Sequence, residues 1–366
     1  MQKPQLTVRS LRARPVVVPL KRPIVARIAT IAEWPLVLID LATEEGITGR
    51  SYVGPYTRNA MRALLPLLRD FEGLLKGRKL APVELYEAAR KSLHFVGYQG
   101  LSMVAASGLD MAAWDALAKA ANAPLCVLLG GSPGPVKAYN SNGLWLSEPK
   151  ALAEEAVALQ KEGGYAGIKM RLGRANPRDD IAAIEAVRKA VGERIHLMVD
   201  FNQALDLADA LKRCHMIDDL GLDWIEEPIL YDNFEGCAQL AAELDTPIQI
   251  GENFYGPRDL HMALRIKACD LVMPDYMRIG GITGWLRAAG IAGAAGIPMS
   301  THLYPEAGAH TMRVTESAHW LEMVNWADPV LQKPYLVQDG TVRIPDAPGL
   351  GMDWNEDAVK KYLVEM

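Results

Sequence analysis

The sequence predicts a TIM-type β/α barrel preceded by a smaller α+β capping domain. Three observations carry this. Strand-like segments and then helical ones fill roughly the first 135 of 366 residues. From about residue 136 short apolar strands alternate with helical stretches, the pattern of βα units. Acidic residues then recur at successive strand ends, where such barrels place their chemistry.

The opening segments "LTVRSLRARPVVVPL", "WPLVLIDLATEEG" and "ITGRSYVG" are rich in β-branched residues and separated by turn signals. "TRNAMRALLPLLRDFEGLLKG", "VELYEAARKSLHFV" and "SMVAASGLDMAAWDALAKAA" then place apolar residues at helical spacing. Strands followed by helices mark a separate α+β unit, here residues 1–135. The barrel strands follow as "VKAYNSNG", "AGIKMRLG", "IHLMVDFNQ", "LDWIEEPI", "PIQIGENF", "CDLVMPDYM", "IPMSTHL" and "AHWLEMV", within residues 136–330. Segments such as "DDIAAIEAVRKAVG" are the connecting helices. The tail, residues 331–366, mixes strand-like and Pro/Gly-rich pieces and is expected to return to the capping domain.

Composition narrows the class. Half the residues are hydrophobic and 23% are charged, as in a globular protein. The net charge of −5 gives no electrostatic pull toward nucleic acid or an anionic membrane. No signal-type or membrane-spanning run is evident. Cys126, Cys214, Cys237 and Cys269 show no paired spacing. A cytoplasmic setting is the expectation.

The barrel strand ends carry the functional argument. The third ends at Asp200, the fourth at Glu226 and the fifth at Glu252, intervals of 226 − 200 = 26 and 252 − 226 = 26. One βα repeat thus brings each carboxylate to the equivalent place on the next strand. Singly, each would read as a helix cap or an arginine partner. Three in equivalent places require a cation, and oxygen donors in a partly open site suit Mg²⁺. Spacing selects Glu226 over its neighbour Glu227, which alternation turns to the other side. The sixth strand ends in Asp275 and the seventh in His302, the pairing a proton-transfer dyad needs. The eighth ends at Glu322. Lys169 and Arg171, two apart on the second strand, share a face; the carboxylates and an anionic substrate would balance them. "RIGGITGW" reads as a phosphate cradle or, more simply, a glycine turn into a helix.

The stretches "PLVLIDLAT", "MVDFNQ", "WIEEP", "GEN", "MPDYMRIGGITGW", "STHL" and "HWLE" together resemble the enolase superfamily, in its mandelate racemase subgroup. The resemblance spans essentially the whole chain and implies a modified (β/α)7β barrel. It implies that Asp200, Glu226 and Glu252 bind Mg²⁺ and that the metal holds the carboxylate of a small-molecule substrate. His302 would be a base oriented by Asp275. Glu322 would be a protonated acid donating to the substrate carboxylate. Lys169 and Ser141 would contact the same carboxylate, and Asn202 would lie beside the metal. A homo-oligomer, dimer or octamer, is implied as well.

One departure falls on a catalytic role. The family racemase carries Lys-x-Lys on the second strand, and its second lysine is the base opposite the histidine. Here that position is Arg171. Neutralising a guanidinium about five pKa units above working pH costs on the order of 7 kcal/mol. Arg171 therefore reads as a fixed cation, and one-base chemistry points to dehydration of an acid-sugar-like 2-hydroxy carboxylate. The lid argues the other way. "RPIVARIATIAEW" is apolar apart from Arg27, Thr30 and Glu33, which suits an aryl or alkyl racemase substrate. A second loop, "YVGPYTRN", offers Tyr56, Arg58 and Asn59. Arg27 and Tyr56 are the lid candidates for substrate contact. The base argument carries a magnitude and takes precedence over the lid argument. A non-catalytic metal-binding barrel is the remaining reading, opposed by the full set of acids and the Asp–His pair.

Overall fold

Eighteen residues, Val8–Val25, make the first strand, β1, of a computed structural model that describes residues 6–366. It pairs antiparallel with β2 (Thr30–Thr43), which pairs with β3 (Thr48–Val53). β2 is central, and its run Trp34–Ile39 is buried on both faces. The helix Arg58–Leu75 begins where the Thr57 hydroxyl accepts the Ala60 N–H. It buries Met61, Leu64, Leu68, Phe71 and Leu75, one stripe at helical spacing. The helix Leu101–Ala120 is buried nearly all round and lies between the capping sheet and the barrel. Its close seat explains Gly49, where a Cβ would fall 2.0 Å from the Ala112 carbonyl oxygen.

The barrel strands are β4 (Pro135–Asn140), β5 (Gly167–Arg171), β6 (His196–Asp200), β7 (Trp224–Glu226), β8 (Ile248–Ile250) and β9 (Leu271–Val272), paired parallel in that order. β10 (Leu321–Met323) pairs parallel with β4 and closes the ring. The seventh position departs from the regular strand expected of "IPMSTHL". It is held by bridges at Val272–Met299, Asp275–His302 and Met299–Ala318. Pro298 at its start and Pro274 on the neighbouring segment after β9 lack the N–H a regular ladder needs. The interior is plugged below the rim by Tyr139, Met198, Trp224, Leu271 and Trp320.

The tail first builds a hairpin, β11 (Val337–Gln338) and β12 (Thr341–Arg343), turning at Asp339 and Gly340 with φ of 50° and 70°. β12 adds antiparallel to β4 on the barrel. The chain then crosses to the capping domain, where Arg14 holds Glu356 at 2.7 Å and Trp354 donates to Asp40 at 2.7 Å. Leu363 bridges to Val16 on β1. No helix among the described residues is long and apolar enough to cross a membrane. The four cysteines are buried and free. "RIGGITGW" is a glycine turn, with φ of 107° and 65° at Gly280 and Gly281, and the Thr283 N–H is given to Asp110 rather than left for an anion.

Candidate active site

Strand register places the site. Arg171 on β5 lies beside Asp200 on β6, and Asp200 lies beside Glu226 on β7. Parallel neighbours share a face, so the cation and two acids point together into the barrel mouth. Glu252 follows β8 by two residues, and the Asp275–His302 bridge completes the far side. Above them lies a cavity of about 690 Å³, roofed by the β1–β2 hairpin. Arg171, Asp200, Asn202, Glu252, His302 and Glu322 line it.

Lys169 and Glu226 sit beneath, 1% and 0% exposed. The ammonium reaches Glu226 at 2.5 Å, Glu322 at 3.0 Å and Asp200 at 3.5 Å. Burial lowers its pKa, but these three carboxylates together raise it above the ordinary lysine value. Lys169 is a permanent cation here. Burial raises Glu226 to about 8 against the pull of Lys169, with Asp200, Glu322 and Glu252 adding to the rise. Trp224, two residues back on the same face, donates to it at 3.0 Å.

His302 Nδ1 sits 2.6 Å from Asp275, whose other oxygen accepts the Met277 N–H at 2.7 Å. This fixes the ring and turns Nε2 toward the cavity, 3.3 Å from Glu252. Burial lowers the His302 pKa, but Glu252, the bond to Asp275 and Glu322 outweigh it and raise the group to about 9.

Arg171 is pinned from two sides. Its guanidinium donates to the Ser141 hydroxyl at 3.0 Å and lies 4.2 Å from the Trp145 ring centre. Its Nε is buried without a hydrogen-bond partner, 3.7 Å from Asp200. Ser141, expected to face substrate, is fully buried, and its hydroxyl is taken by Arg171.

Three further expectations are tested by position. Asn202 lies beside Asp200 as expected, donating to it through both its backbone and its side-chain amide. Tyr56 lines the cavity, with Arg278 5.0 Å over its ring. Arg27 is exposed at the hairpin tip and outside the cavity lining, with its side chain against Gly173 just beyond β5. At Glu322, expected to be a protonated acid, burial favours the neutral form, while Lys169, His302, Arg171 and the Leu303 N–H lower its pKa below the ordinary carboxylate value.

Backbone strain gathers at the same rim. Tyr56, Asn202, Gln203 and Leu303 all line the cavity with φ between 47° and 62°. Such residues cost of order 1–3 kcal/mol each and persist only where their surroundings over-determine them. Here the N–H groups of Asn202 and Leu303 are held by Asp200 and Glu322, and that of Gln203 by the Glu227 carbonyl. Sequence reading missed three side chains: Trp145, Trp326 and Arg278, whose guanidinium donates to the Glu252 carbonyl at 2.8 Å. Arg278 had a faint signal, three residues after Asp275 in the first turn of the next helix. The tryptophans had none.

Among the described residues, no three His, Cys or acidic side chains close on one point at metal-ligand spacing. Lys169 engages Glu226, Asn202 engages Asp200, and His302 faces Glu252. The donor set nevertheless fits a hard divalent ion. It is all carboxylate oxygen, its members repel one another, and Glu227 beside it keeps a buried Oε1 with no partner.

Capping domain, barrel and a carboxylate-rimmed mouth define a class of enzyme, and sequence comparison agrees. Residues 8–130 match the mandelate racemase / muconate lactonizing enzyme N-terminal domain, and residues 151–358 match the enolase C-terminal domain-like family. The chain belongs to the enolase superfamily, in its mandelate racemase / muconate lactonizing enzyme branch. It is 64% identical to an enolase from alpha proteobacterium BAL199 solved with bound Mg, with a TM-score of 0.97, covering 98% of this chain and all of that one. It is 43% identical to an enolase from Bradyrhizobium solved with magnesium and mandelic acid, with a TM-score of 0.95 and full coverage of both chains. It is 36% identical to the L-talarate/galactarate dehydratase of Salmonella typhimurium over 72% of this chain and 66% of that relative. Other relatives are dehydratases, cycloisomerases and a racemase.

Proposed function

We propose that this enzyme abstracts the α-proton of a 2-hydroxy carboxylate with His302 and eliminates a β-hydroxyl, giving a 2-keto acid and water. The supporting observation is the pinned Arg171. This guanidinium, of a kind that proteins do not deprotonate, is stacked on Trp145 and bonded to Ser141, which leaves His302 as the base at the cavity wall. Asp200, Glu226 and Glu252 would hold Mg²⁺, the ion found in the relatives from BAL199 and Bradyrhizobium. A bound Mg²⁺ supplies fixed positive charge to the substrate carboxylate, which favours the negative charge that develops on it as the proton leaves.

The proton steps belong to the chain's own residues. His302 Nε2, neutral once a cation held by Glu252 offsets the charge that raises it, takes the α-proton while Asp275 holds Nδ1–H and stabilises the imidazolium that forms. The electrons of the broken Cα–H bond form the Cα–Cβ double bond, and the Cβ–O bond breaks. The imidazolium returns its proton to the leaving hydroxyl, which departs as water. The enol then tautomerises to the 2-keto acid. Lys169 and Arg171 remain cations and offset the charge on the substrate.

A second reading rests on the walls. Ile24, Ala26, Ile31, Trp145 and Trp326 make the upper cavity apolar, and the Bradyrhizobium relative was solved with mandelic acid. Both favour racemisation of an aryl or alkyl 2-hydroxy acid. A panel of 2-hydroxy and 2,3-dihydroxy carboxylates with Mg²⁺ separates the two. Formation of 2-keto acid, with deuterium exchange from one configuration only, is expected. Loss of optical rotation without keto acid, and exchange from both configurations, would put racemisation first.

A further inference from the structure

Trp326 borders two cavities. One face lines the site cavity of about 690 Å³, and the residue also lines a neighbouring hollow of about 330 Å³ whose other walls include Pro19, Leu20 and Pro329. The strand β1 continues from one to the other, with Leu20 on the second and Ile24 on the first. Trp326 is half-buried and packs on Trp34, ring centres 4.5 Å apart, and Trp34 packs edge-on against Tyr56 at 4.9 Å. The indole is thus a braced partition between two spaces.

We propose that Trp326 is a specificity-determining residue, the end wall that sets how long an apolar substituent the site accepts. This rests on the reading that the site takes a small 2-hydroxy carboxylate. The carboxylate end would be held at the charged rim by Arg171 and by the Mg²⁺ that the acids would bind, so the substituent must extend into the upper cavity. Toward the hairpin tip it meets the exposed Ile28 and Ala29 and then water, where added carbon gains little burial. Toward Trp326 it meets a wall. Behind that wall the hollow continues over Leu20 and the two prolines, apolar surface able to cover further methylenes, with Lys21, Asn325 and Asp328 as its polar walls.

Binding of a homologous series of straight-chain 2-hydroxyalkanoates, four to about twelve carbons, to the Mg²⁺-loaded enzyme tests this by calorimetry. In the wild type, affinity should rise about fourfold per methylene, the equivalent of about 0.8 kcal/mol, and then stop rising or fall. In Trp326→Ala the rise should continue for several further carbons, while the shortest acids bind within a few-fold of wild type. Trp326→Phe should cut off at an intermediate length, and thermal unfolding of each variant checks that the fold is intact. The same cut-off in all three proteins overturns the partition, as does failure of every member of the series to bind. A shifted cut-off in a protein that neither exchanges the α-proton nor forms keto acid from 2,3-dihydroxy carboxylates sustains the partition and counts against the proposed reaction alone.

Discussion

This protein buries acidic side chains in two places, and it treats them differently. At the seam between capping domain and barrel, each acid is answered by specific donors. Asp110 accepts the Thr283 N–H and hydroxyl at 2.9 and 2.5 Å. Asp115 accepts the N–H groups of Arg50 and Leu350, both at 2.7 Å, and Lys119 at 2.7 Å. Glu306 accepts the Tyr52 hydroxyl at 2.7 Å. At the barrel rim the acids face one another. Asp200, Glu226, Glu252 and Glu322 all act on each other's charge and share Lys169, Arg171 and His302. The seam acids are hydrogen-bonded staples that tie loops of one domain to the other. The rim acids are held in mutual conflict, and a site in such conflict binds a cation or a polarised substrate more readily than a satisfied one.

The largest expected effect lies at the rim. His302→Asn should cut α-proton exchange by about 10²–10⁴-fold while leaving Mg²⁺ affinity, read by calorimetry, close to wild type. Exchange at the wild-type rate would remove His302 from the role of base. Lys169→Met comes next. It leaves the rim carboxylates without their shared ammonium and should cost about 3–5 kcal/mol in urea unfolding without metal. Saturating Mg²⁺ should recover a large part of that loss, and no recovery would place the ion elsewhere.

The seam should behave more quietly. Burial raises Asp110 to about 7, against the lowering effect of its bonds to Thr283. Between the unfolded value near 4 and that folded value, the native protein binds the extra proton. Stability from this group is therefore fully present below about pH 4 and falls as pH rises toward 7, by on the order of 4 kcal/mol at most. Asp110→Asn should flatten that slope when unfolding is compared at pH 5 and pH 7.5. Lys119→Met should cost least, about 1–2 kcal/mol, because Asp115 keeps both backbone N–H donors. If its cost matched that of Lys169→Met, the two places would not differ as described.

Much of the rim was legible in the chain because it is periodic. Asp200, Glu226 and Glu252 repeat with the βα unit, and Asp275 and His302 end consecutive strands, so spacing alone brings them together. Partner choice was not legible. Nothing in "AYNSN" says that the Ser141 hydroxyl goes to Arg171, since that depends on how β4 and β5 lie side by side. Composition put Arg27 in the lid loop without saying whether its side chain lines the cavity, since that depends on the turn. The charge state of Glu322 depends on Lys169, 153 residues away (322 − 169), and on a Leu303 amide delivered by a left-handed residue. The seam acids Asp110, Asp115 and Glu306 sit in helices with no repeat to mark them, so their role emerges only from tertiary contact. Trp326 belongs to no repeat and was invisible for the same reason.

The tail that forms a hairpin on β4 and then bridges to β1 has a mechanical consequence. It laces the two domains together at several points, from the barrel strand to Arg14, Asp40 and Val16. A hinge that swung the whole capping domain away would have to peel off this strap. The β1–β2 hairpin is held by fewer ties, the Leu146 N–H to the Val25 carbonyl and Arg22 to Glu155 and Glu162, and beyond them residues 27–30 are exposed. Flexing of that short tip, on the nanosecond-to-microsecond scale of loops, would admit a ligand without the slower rotation of a domain.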